Sequence, residues 1–222
     1  MTNHISPPRE QFLAWLIQKL APNPQSVSDW VAQLRAENPE LSREQLADYT
    51  GDYIVWSYAK QGASLALPGA IPGLGTLVQV ATELGAASVD VSMMVRNQTY
   101  LVLALSECFG VKGRETLVQD ALICIGLWSK ALNLSKGRIV TLGAKVAEVN
   151  FRKRVPATVF QAINRKVGTT VLTKYGTKRG GVAVGKLIPF GVGVLVGGGF
   201  NYLMMRRFKD TSLKYFSLKV SS

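Results

Sequence analysis

Two carboxylic acids stand in the most apolar part of this chain. Glu83 and Asp90 are seven residues apart, and Thr76 and Asn97 extend the same seven-residue repeat in both directions. Residues at that spacing share one face of a helix, so the pattern predicts a polar stripe along an otherwise apolar helix. Carboxylates buried on such a helix need partners or raised pKa values.

Cations that could partner these acids are Arg96, Lys186 and Arg206. The stripe has two interpretations. One is a polar site between helices for a head group or a cation, and the other is an ion-pair network that fixes helix register. Two acids seven residues apart on a helix are separated by about 10.5 Å, which is wide for a pair acting as general acid and base.

The residues that other enzyme classes need are missing. The single histidine is His4, which excludes a histidine-based triad and argues against a zinc site. Gly176-Thr177-Lys178 has the wrong order for a phosphate-binding loop, and no Gly-x-Ser-x-Gly motif is present. We therefore predict a protein that is not an enzyme, with no catalytic residues, no metal and no cofactor.

Two glycine-rich apolar runs form the centre of the predicted fold. Residues 187–205 are uncharged and contain five glycines, and residues 61–82 are also uncharged. Ile188-Pro189 opens the later run much as Ile71-Pro72 opens the main part of the earlier one. Gly193 and Gly197 have the spacing that lets two helices approach closely. We expect an all-α, multi-helix bundle around two glycine-rich helices, which either form a buried hairpin or insert into a membrane.

Apolar periodicity and capping residues predict the remaining helices. Ser42 and Gln45 form a capping box at the start of one of them, Ser26 or Ser28 is expected to cap another, and Gly110 is expected to close a helix. The predicted helices cover residues 9–20, a short segment around Trp30, 42–62, 73–109, 114–132, 137–151 and 157–175.

One predicted helix carries an aromatic stripe. Tyr49, Tyr53 and Trp56 follow the spacing i, i+4, i+7 and therefore share a face. A seam in the core is the favoured interpretation, and a membrane interface is the alternative.

The charge of +12 is distributed very unevenly. Residues 1–109 contain 6 of the 26 Lys and Arg residues and 10 of the 14 Asp and Glu residues, a balance of −4, which leaves +16 for residues 110–222. Such asymmetry is typical of proteins that contact a polyanion or an anionic lipid surface. The residues expected to make that contact are Arg152, Lys153, Arg154, Arg165, Lys166, Lys178, Arg179, Arg206 and Arg207.

Two segments resemble the EcsC-like family. The first has an Ile71-Pro72-Gly73 turn, then Asp90, then Arg96-Asn97-Gln98, then an apolar helix that ends at Phe109-Gly110. The second has Gly185-Lys186, Leu187-Ile188-Pro189, a glycine-rich stretch and Asn201. The resemblance covers roughly residues 55–215. It implies a mostly helical bacterial protein of poorly defined activity, without established catalytic residues.

The expected organisation is an N-terminal helical extension over residues 1–50 and an EcsC-like helical domain over residues 51–222. Glu83, Asp90, Arg96, Asn97, Lys186, Asn201 and Arg206 are the candidate ligand or ion-pair residues. Cys108 and Cys124 are expected to be core residues, not a disulfide.

We expect a non-enzymatic, membrane-associated protein that binds anionic lipid or a membrane partner. Residues 1–10 lack the apolar segment of a signal peptide, so a cytoplasmic protein, peripheral to or partly inserted in the inner membrane, is expected. The alternatives are a soluble domain that binds an acidic protein or nucleic acid, a membrane-permeabilising effector, and an enzyme that uses Glu83 and Asp90. Nucleic acid is the less favoured partner, and homo-oligomerisation is compatible with all of these.

Overall fold

The computed structural model describes residues 12–64, 89–111, 113–135, 138–141, 157–171 and 192–221. Within them the fold is an all-α bundle with one short β-hairpin, which confirms the predicted fold class. The helices are α1 (Phe12–Leu20), α2 (Pro24–Glu37), α3 (Arg43–Ser64), α4 (Val89–Phe109), α5 (Gly113–Trp128), α6 (Ala157–Val171) and α7 (Val192–Ser221), and the strands are β1 (Leu132–Ser135) and β2 (Arg138–Thr141).

Local sequence signals explain where several helices begin and end. The Ser42 amide donates to Gln45 Oε1 at 2.8 Å and the Gln45 amide donates to Ser42 Oγ at 3.2 Å, so the predicted capping box is formed. Gly110 follows α4 with a φ of 66°, the left-handed conformation of a helix-closing glycine. The prediction of a serine cap for α2 was wrong: Asn23 caps it, followed by Pro24 in the first turn.

The segment after α5 contains a strand pair, and residues 138–141 form a strand where a helix over residues 137–151 was predicted. The rest of that predicted helix lies outside the described residues. Leu132 pairs with Thr141 and Ser135 with Arg138 in an antiparallel ladder. Ile139, Val140 and Thr141 are all β-branched, and such residues pack well on a pleated surface. The apolar count of the segment was compatible with either structure, and β-branching favours the strand.

One hydrophobic core joins all seven helices, including α1 and α2 from the predicted N-terminal extension. Helix α7 packs against α3, α4 and α5, while α2 packs against α3 and α4. Helix α6 lies against α5 and α1. Cys108 and Cys124 are buried and free, as predicted.

The basic tail continues the glycine-rich helix without a break, since α7 is 30 residues long. Its aromatic residues Phe208, Tyr215 and Phe216 are fully buried in the core. They therefore stabilise the bundle.

Three helix ends meet at one end of the bundle. Helix α3 runs antiparallel to α7, because Trp56 contacts Tyr202 while Lys209 contacts Asp48. Helix α4 is parallel to α7, because Leu101 and Lys209 both lie beside Gly51 while Phe109 stacks on Phe216 further along the two helices. Helix α4 is therefore antiparallel to α3. The end of α3 at Ser64 and the starts of α4 at Val89 and α7 at Val192 therefore lie on one side, which we call the junction end.

Candidate functional site

Large apolar side chains are exposed on the outer surface that α3 and α7 share. Tyr49 is 48% exposed, Tyr53 58%, Trp56 56% and Leu203 56%. Among the described residues, only Val220 is a further exposed large hydrophobic, at 39%. We call the surface formed by Tyr49, Asp52, Tyr53, Trp56, Leu203, Arg206 and Asp210 the α3–α7 face. The expectation that the aromatic stripe is a core seam was wrong, because the opposite side of α3, with Ile54 and Val55, packs into the core.

Neighbouring aromatic rings hold this stripe in place. The ring centroids of Trp56 and Tyr202 are 4.8 Å apart, and those of Tyr53 and Trp30 are 5.3 Å apart. Trp30 stacks in turn on Tyr100 at 5.7 Å with an interplanar angle of 19°. Because the exposed rings of Tyr53 and Trp56 each rest on a half-buried ring, their contact area is available without much further loss of side-chain entropy.

Charges of both signs border the aromatic stripe. Arg206 Nη1 donates a hydrogen bond to Tyr202 Oη at 2.7 Å, and its guanidinium lies 5.9 Å from the centre of that ring. That hydrogen bond is the main reason why the pKa of Arg206 is raised. Asp52 is half-exposed on α3 and Asp210 is exposed on α7, so the face carries no large net charge.

Lys209 ties α3 to α7 beside this face, and sequence analysis missed it. Its Nζ lies 2.8 Å from Asp48 Oδ1 and 2.6 Å from Asp52 Oδ1, although the lysine side chain is only 4% exposed. Burial alone would lower its pKa, but hydrogen bonds to the two aspartates outweigh burial, so the pKa is raised. Lys209 therefore forms a structural ion pair between α3 and α7.

A second buried polar cluster joins α5 to α7. Asp120 accepts hydrogen bonds from Tyr215 Oη at 2.5 Å and Thr116 Oγ1 at 2.6 Å. Lys219 Nζ completes the cluster at 2.7 and 2.8 Å from the two carboxylate oxygens. Burial first, and then the Asp120 charge, raise the pKa of Tyr215. This arrangement satisfies a fully buried carboxylate and fixes the register of the two helices.

The predicted polar stripe is only partly within the described residues. Glu83 and Lys186 lie outside them, and the side chain of Asp90 is not described. Arg96 is exposed on α4, whereas Asn97 is buried and donates to the Met93 carbonyl at 2.9 Å. Asn201 is also buried, on α7. The described geometry therefore assembles no catalytic group from these residues.

The predicted anionic-surface residues fall into two groups. Arg165 and Lys166 are exposed on α6, a helix without acidic residues, and Arg206 and Arg207 are exposed on α7. Arg152, Lys153, Arg154, Lys178 and Arg179 lie outside the described residues.

Two exposed cations lie close to the junction end. Lys60 comes four residues before the end of α3, about 6 Å along the axis, and Arg96 comes seven residues after the start of α4, about 10 Å. The chain leaves α3 within the uncharged residues 61–82, which are followed by Glu83 before α4 begins, and it enters α7 within the uncharged residues 187–205. Both apolar runs are therefore connected to the bundle at the end where these cations are exposed.

Comparison with known proteins identifies no relative of this chain. No protein-family model matches the chain, and neither the curated proteins nor the solved structures contain a match. Among the residues that the structure describes, no helix combines the length and the apolar character needed to cross a bilayer.

Proposed function

We propose that this chain is a non-enzymatic, membrane-associated protein that binds anionic lipid at the junction end of its bundle. The observation that carries the proposal is the convergence of Ser64, Val89 and Val192 at that end. It connects both uncharged runs, 61–82 and 187–205, to one side of the molecule. A single membrane surface could then contact both of them.

The exposed cations support an anionic surface as the partner. Lys60 and Arg96 lie within about two turns of the junction end, and long basic side chains can extend their charges to the head-group level while their stems stay in apolar surroundings. A Lys or Arg near an anionic bilayer adds about 1 kcal/mol of attraction. Arg165, Lys166 and Arg207 add to the positive field that would steer the protein to such a surface.

The resemblance to the EcsC-like family is consistent with this proposal at the level of fold. Its motifs around Asp90 and Asn201 lie at the start of α4 and in α7, the helices that begin at the junction end. We propose that the protein acts at the cytoplasmic side of a bacterial inner membrane, peripheral or partly inserted.

Flotation of the full chain with liposomes tests the proposal. We expect binding to anionic vesicles and much weaker binding to neutral ones. Binding that is lost at high salt indicates a peripheral contact, because salt screens exposed charges. Binding that survives salt and an alkaline carbonate wash indicates insertion. Absence of flotation in every condition overturns the proposal and favours an acidic protein or nucleic acid as the partner.

Charge variants locate the contact. Lys60→Glu combined with Arg96→Glu is expected to weaken flotation with anionic vesicles. Arg43→Glu combined with Lys214→Glu is the matched control, since it makes the same change in charge at two exposed cations far from the junction end, at the start of α3 and in the last third of α7. Equal loss in the variant and the control would contradict binding at the junction end.

A further inference from the structure

We infer that the α3–α7 face is the interface of a symmetric homodimer, with a second copy of this chain as its occupant. This inference goes beyond lipid binding and concerns a different surface. The face carries four of the five exposed large hydrophobics among the described residues: Tyr49, Tyr53, Trp56 and Leu203. Tyr, Trp and Arg are also the residues that most often dominate the energetics of protein interfaces.

The charges on this face favour a protein over a lipid surface. Asp48 and Asp52 keep 58% and 49% of their side-chain surface exposed even though both bind Lys209, and Asp210 is exposed on α7. An anionic membrane would repel these carboxylates. A protein surface with charges of both signs can place a cation opposite each of them.

The chain itself supplies the complementary charges. Within one copy, Trp56 is level with Tyr202 along the helix axes, because their rings are in contact. Asp52 lies four residues before Trp56, and Arg206 lies four residues after Tyr202. Because the two helices are antiparallel, Asp52 and Arg206 are also level with each other along the helix axes. A two-fold axis parallel to the helices would place α3 of one copy against α7 of the other. Each residue would keep its position along the direction of the helix axes. Asp52 of each copy would then lie opposite Arg206 of the second copy.

The same operation pairs the apolar residues of the face. Trp56 would lie opposite Tyr202 and Leu203 of the second copy, and Tyr53 would lie opposite Arg206, whose guanidinium can pack on an aromatic ring. Tyr49 is seven residues before Trp56 and would lie near Asp210, which could accept a hydrogen bond from its hydroxyl. Each exposed aromatic side chain of the face thus gains a suitable contact.

The alternative two-fold axis, perpendicular to the helices, is disfavoured. It would lay α3 on α3 and α7 on α7. An axis level with Asp52 would place Asp52 against Asp52 and Arg206 against Arg206. It would also point the two junction ends in opposite directions, whereas the parallel axis leaves both at the same end of the dimer. The parallel arrangement therefore lets both copies contact one membrane.

The first test is the molar mass of the full-length protein in solution, measured by light scattering and by sedimentation over a range of concentrations. We expect a dimer that Trp56→Ala combined with Leu203→Ser dissociates, raising the dissociation constant about tenfold or more, as is usual when central aromatic anchors are truncated. Val220→Ala is the control, since Val220 is exposed outside the face and should leave the dimer intact. Circular dichroism checks that each variant is folded.

Disulfide trapping in trans tests the arrangement itself. We expect a 1:1 mixture of Trp56→Cys chains and Leu203→Cys chains to form a covalent dimer on mild oxidation, and each variant alone to form far less. The native Cys108 and Cys124 are buried, so they should not react under the same conditions. Efficient trapping of Trp56→Cys with itself would overturn the parallel axis in favour of α3 lying on α3.

Two outcomes separate this inference from the proposed function. A monomer that fails to trap in trans overturns the dimer, whatever the flotation result. If the protein is a monomer and the variant with Trp56→Ala and Leu203→Ser no longer floats with anionic vesicles, the α3–α7 face binds lipid instead. Conversely, a dimer that never floats supports the interface and overturns membrane binding.

Discussion

Lys209 crosses α3 directly over Gly51. A Cβ atom added at Gly51 would lie 2.6 Å from Lys209 Cδ and 2.7 Å from Cγ. The lysine stem therefore passes through the space where any other residue would place its side chain, and this passage brings Nζ within reach of Asp48 and Asp52. A glycine in the middle of a 22-residue helix is costly, and here the close approach of Lys209 explains it.

Replacing Gly51 with alanine should separate α3 from α7 and disturb the Lys209 ion pairs. Overpacking in a well-packed site typically costs about 1–3 kcal/mol, and better helix propensity returns up to about 1 kcal/mol. We therefore expect a net loss of about 1–2 kcal/mol in the free energy of unfolding, measured by urea or guanidinium denaturation.

Gly199→Ala is the control for that variant, because an added Cβ at Gly199 meets nothing within 4 Å. It should be neutral or stabilise by up to about 1 kcal/mol. Combining Gly51→Ala with Lys209→Ala should cost less than the sum of the two changes. A Gly51→Ala protein as stable as the wild type would show that the Lys209 side chain can adopt another conformation that avoids the added methyl group.

Much of the helical architecture could be predicted from local signals. The Ser42–Gln45 capping box and Gly110 mark helix boundaries through contacts within a few residues, so they can be recognised without knowing the rest of the fold. The hairpin could not be separated from a helix by apolar content, because Leu132 and Ile139 suit both structures. Only the β-branched run at the second strand pointed to it.

The candidate site was harder to predict, for two physical reasons. The spacing of Tyr49, Tyr53 and Trp56 shows that they share a face, but both sides of α3 carry large apolar residues, so the sequence does not show which side is buried. The partners of Lys209 are 157 and 161 residues away, and such pairing depends on the packing of α3 against α7. Charge counting alone therefore could not reveal the ion pairs of Lys209 and Lys219.

Removing the cation from the Asp120 cluster should destabilise the protein strongly. Lys219→Met leaves a fully buried carboxylate with two hydroxyl donors and no cation. Breaking a buried pair in this way typically costs about 3–5 kcal/mol, and we expect the lower part of that range because the lysine side chain is 15% exposed.

Lys214→Met is the control for Lys219→Met, since Lys214 is an exposed lysine on the same helix. It should change the free energy of unfolding by less than about 0.5 kcal/mol. Equal effects of the two substitutions would mean that the Asp120 carboxylate does not need its cation.

Alkaline pH should weaken the fold. The pKa values of Tyr215 and Lys209 are both raised in the folded protein. A group with a raised folded-state pKa contributes stability that is fully present below its unfolded pKa and is lost as the pH rises toward the folded value. Those unfolded values are about 10 for tyrosine and about 10.4 for lysine, so these two groups should lower the free energy of unfolding above about pH 10. Burial also raises the pKa values of Cys108 and Cys124, which should begin to lower it above about pH 8.5.

Tyr215→Phe isolates the contribution of Tyr215 to the fall in the free energy of unfolding at alkaline pH. Denaturation curves between about pH 8 and about pH 11 should show a shallower fall for the variant than for the wild type, because one proton-linked group is gone. Tyrosinate absorbance should rise together with unfolding. An identical decline in both proteins would show that Tyr215 does not contribute to the alkaline transition.

Gly126 provides a last test, of the contact that holds β1 and α6 against α5. An added Cβ there would lie 2.5 Å from Leu132 Cδ1 and 2.9 Å from Val167 Cγ2, both buried side chains on different elements. Gly126→Ala should therefore cost about 1–3 kcal/mol of overpacking, less a helix-propensity gain of up to about 1 kcal/mol. Because the clash lies between α5, β1 and α6, amide hydrogen exchange should speed up in residues 157–171 more than in α3. Uniform acceleration across all helices would indicate a global loss of stability without a local opening, and unchanged exchange in α6 would show that Val167 and Leu132 can repack around the new methyl group.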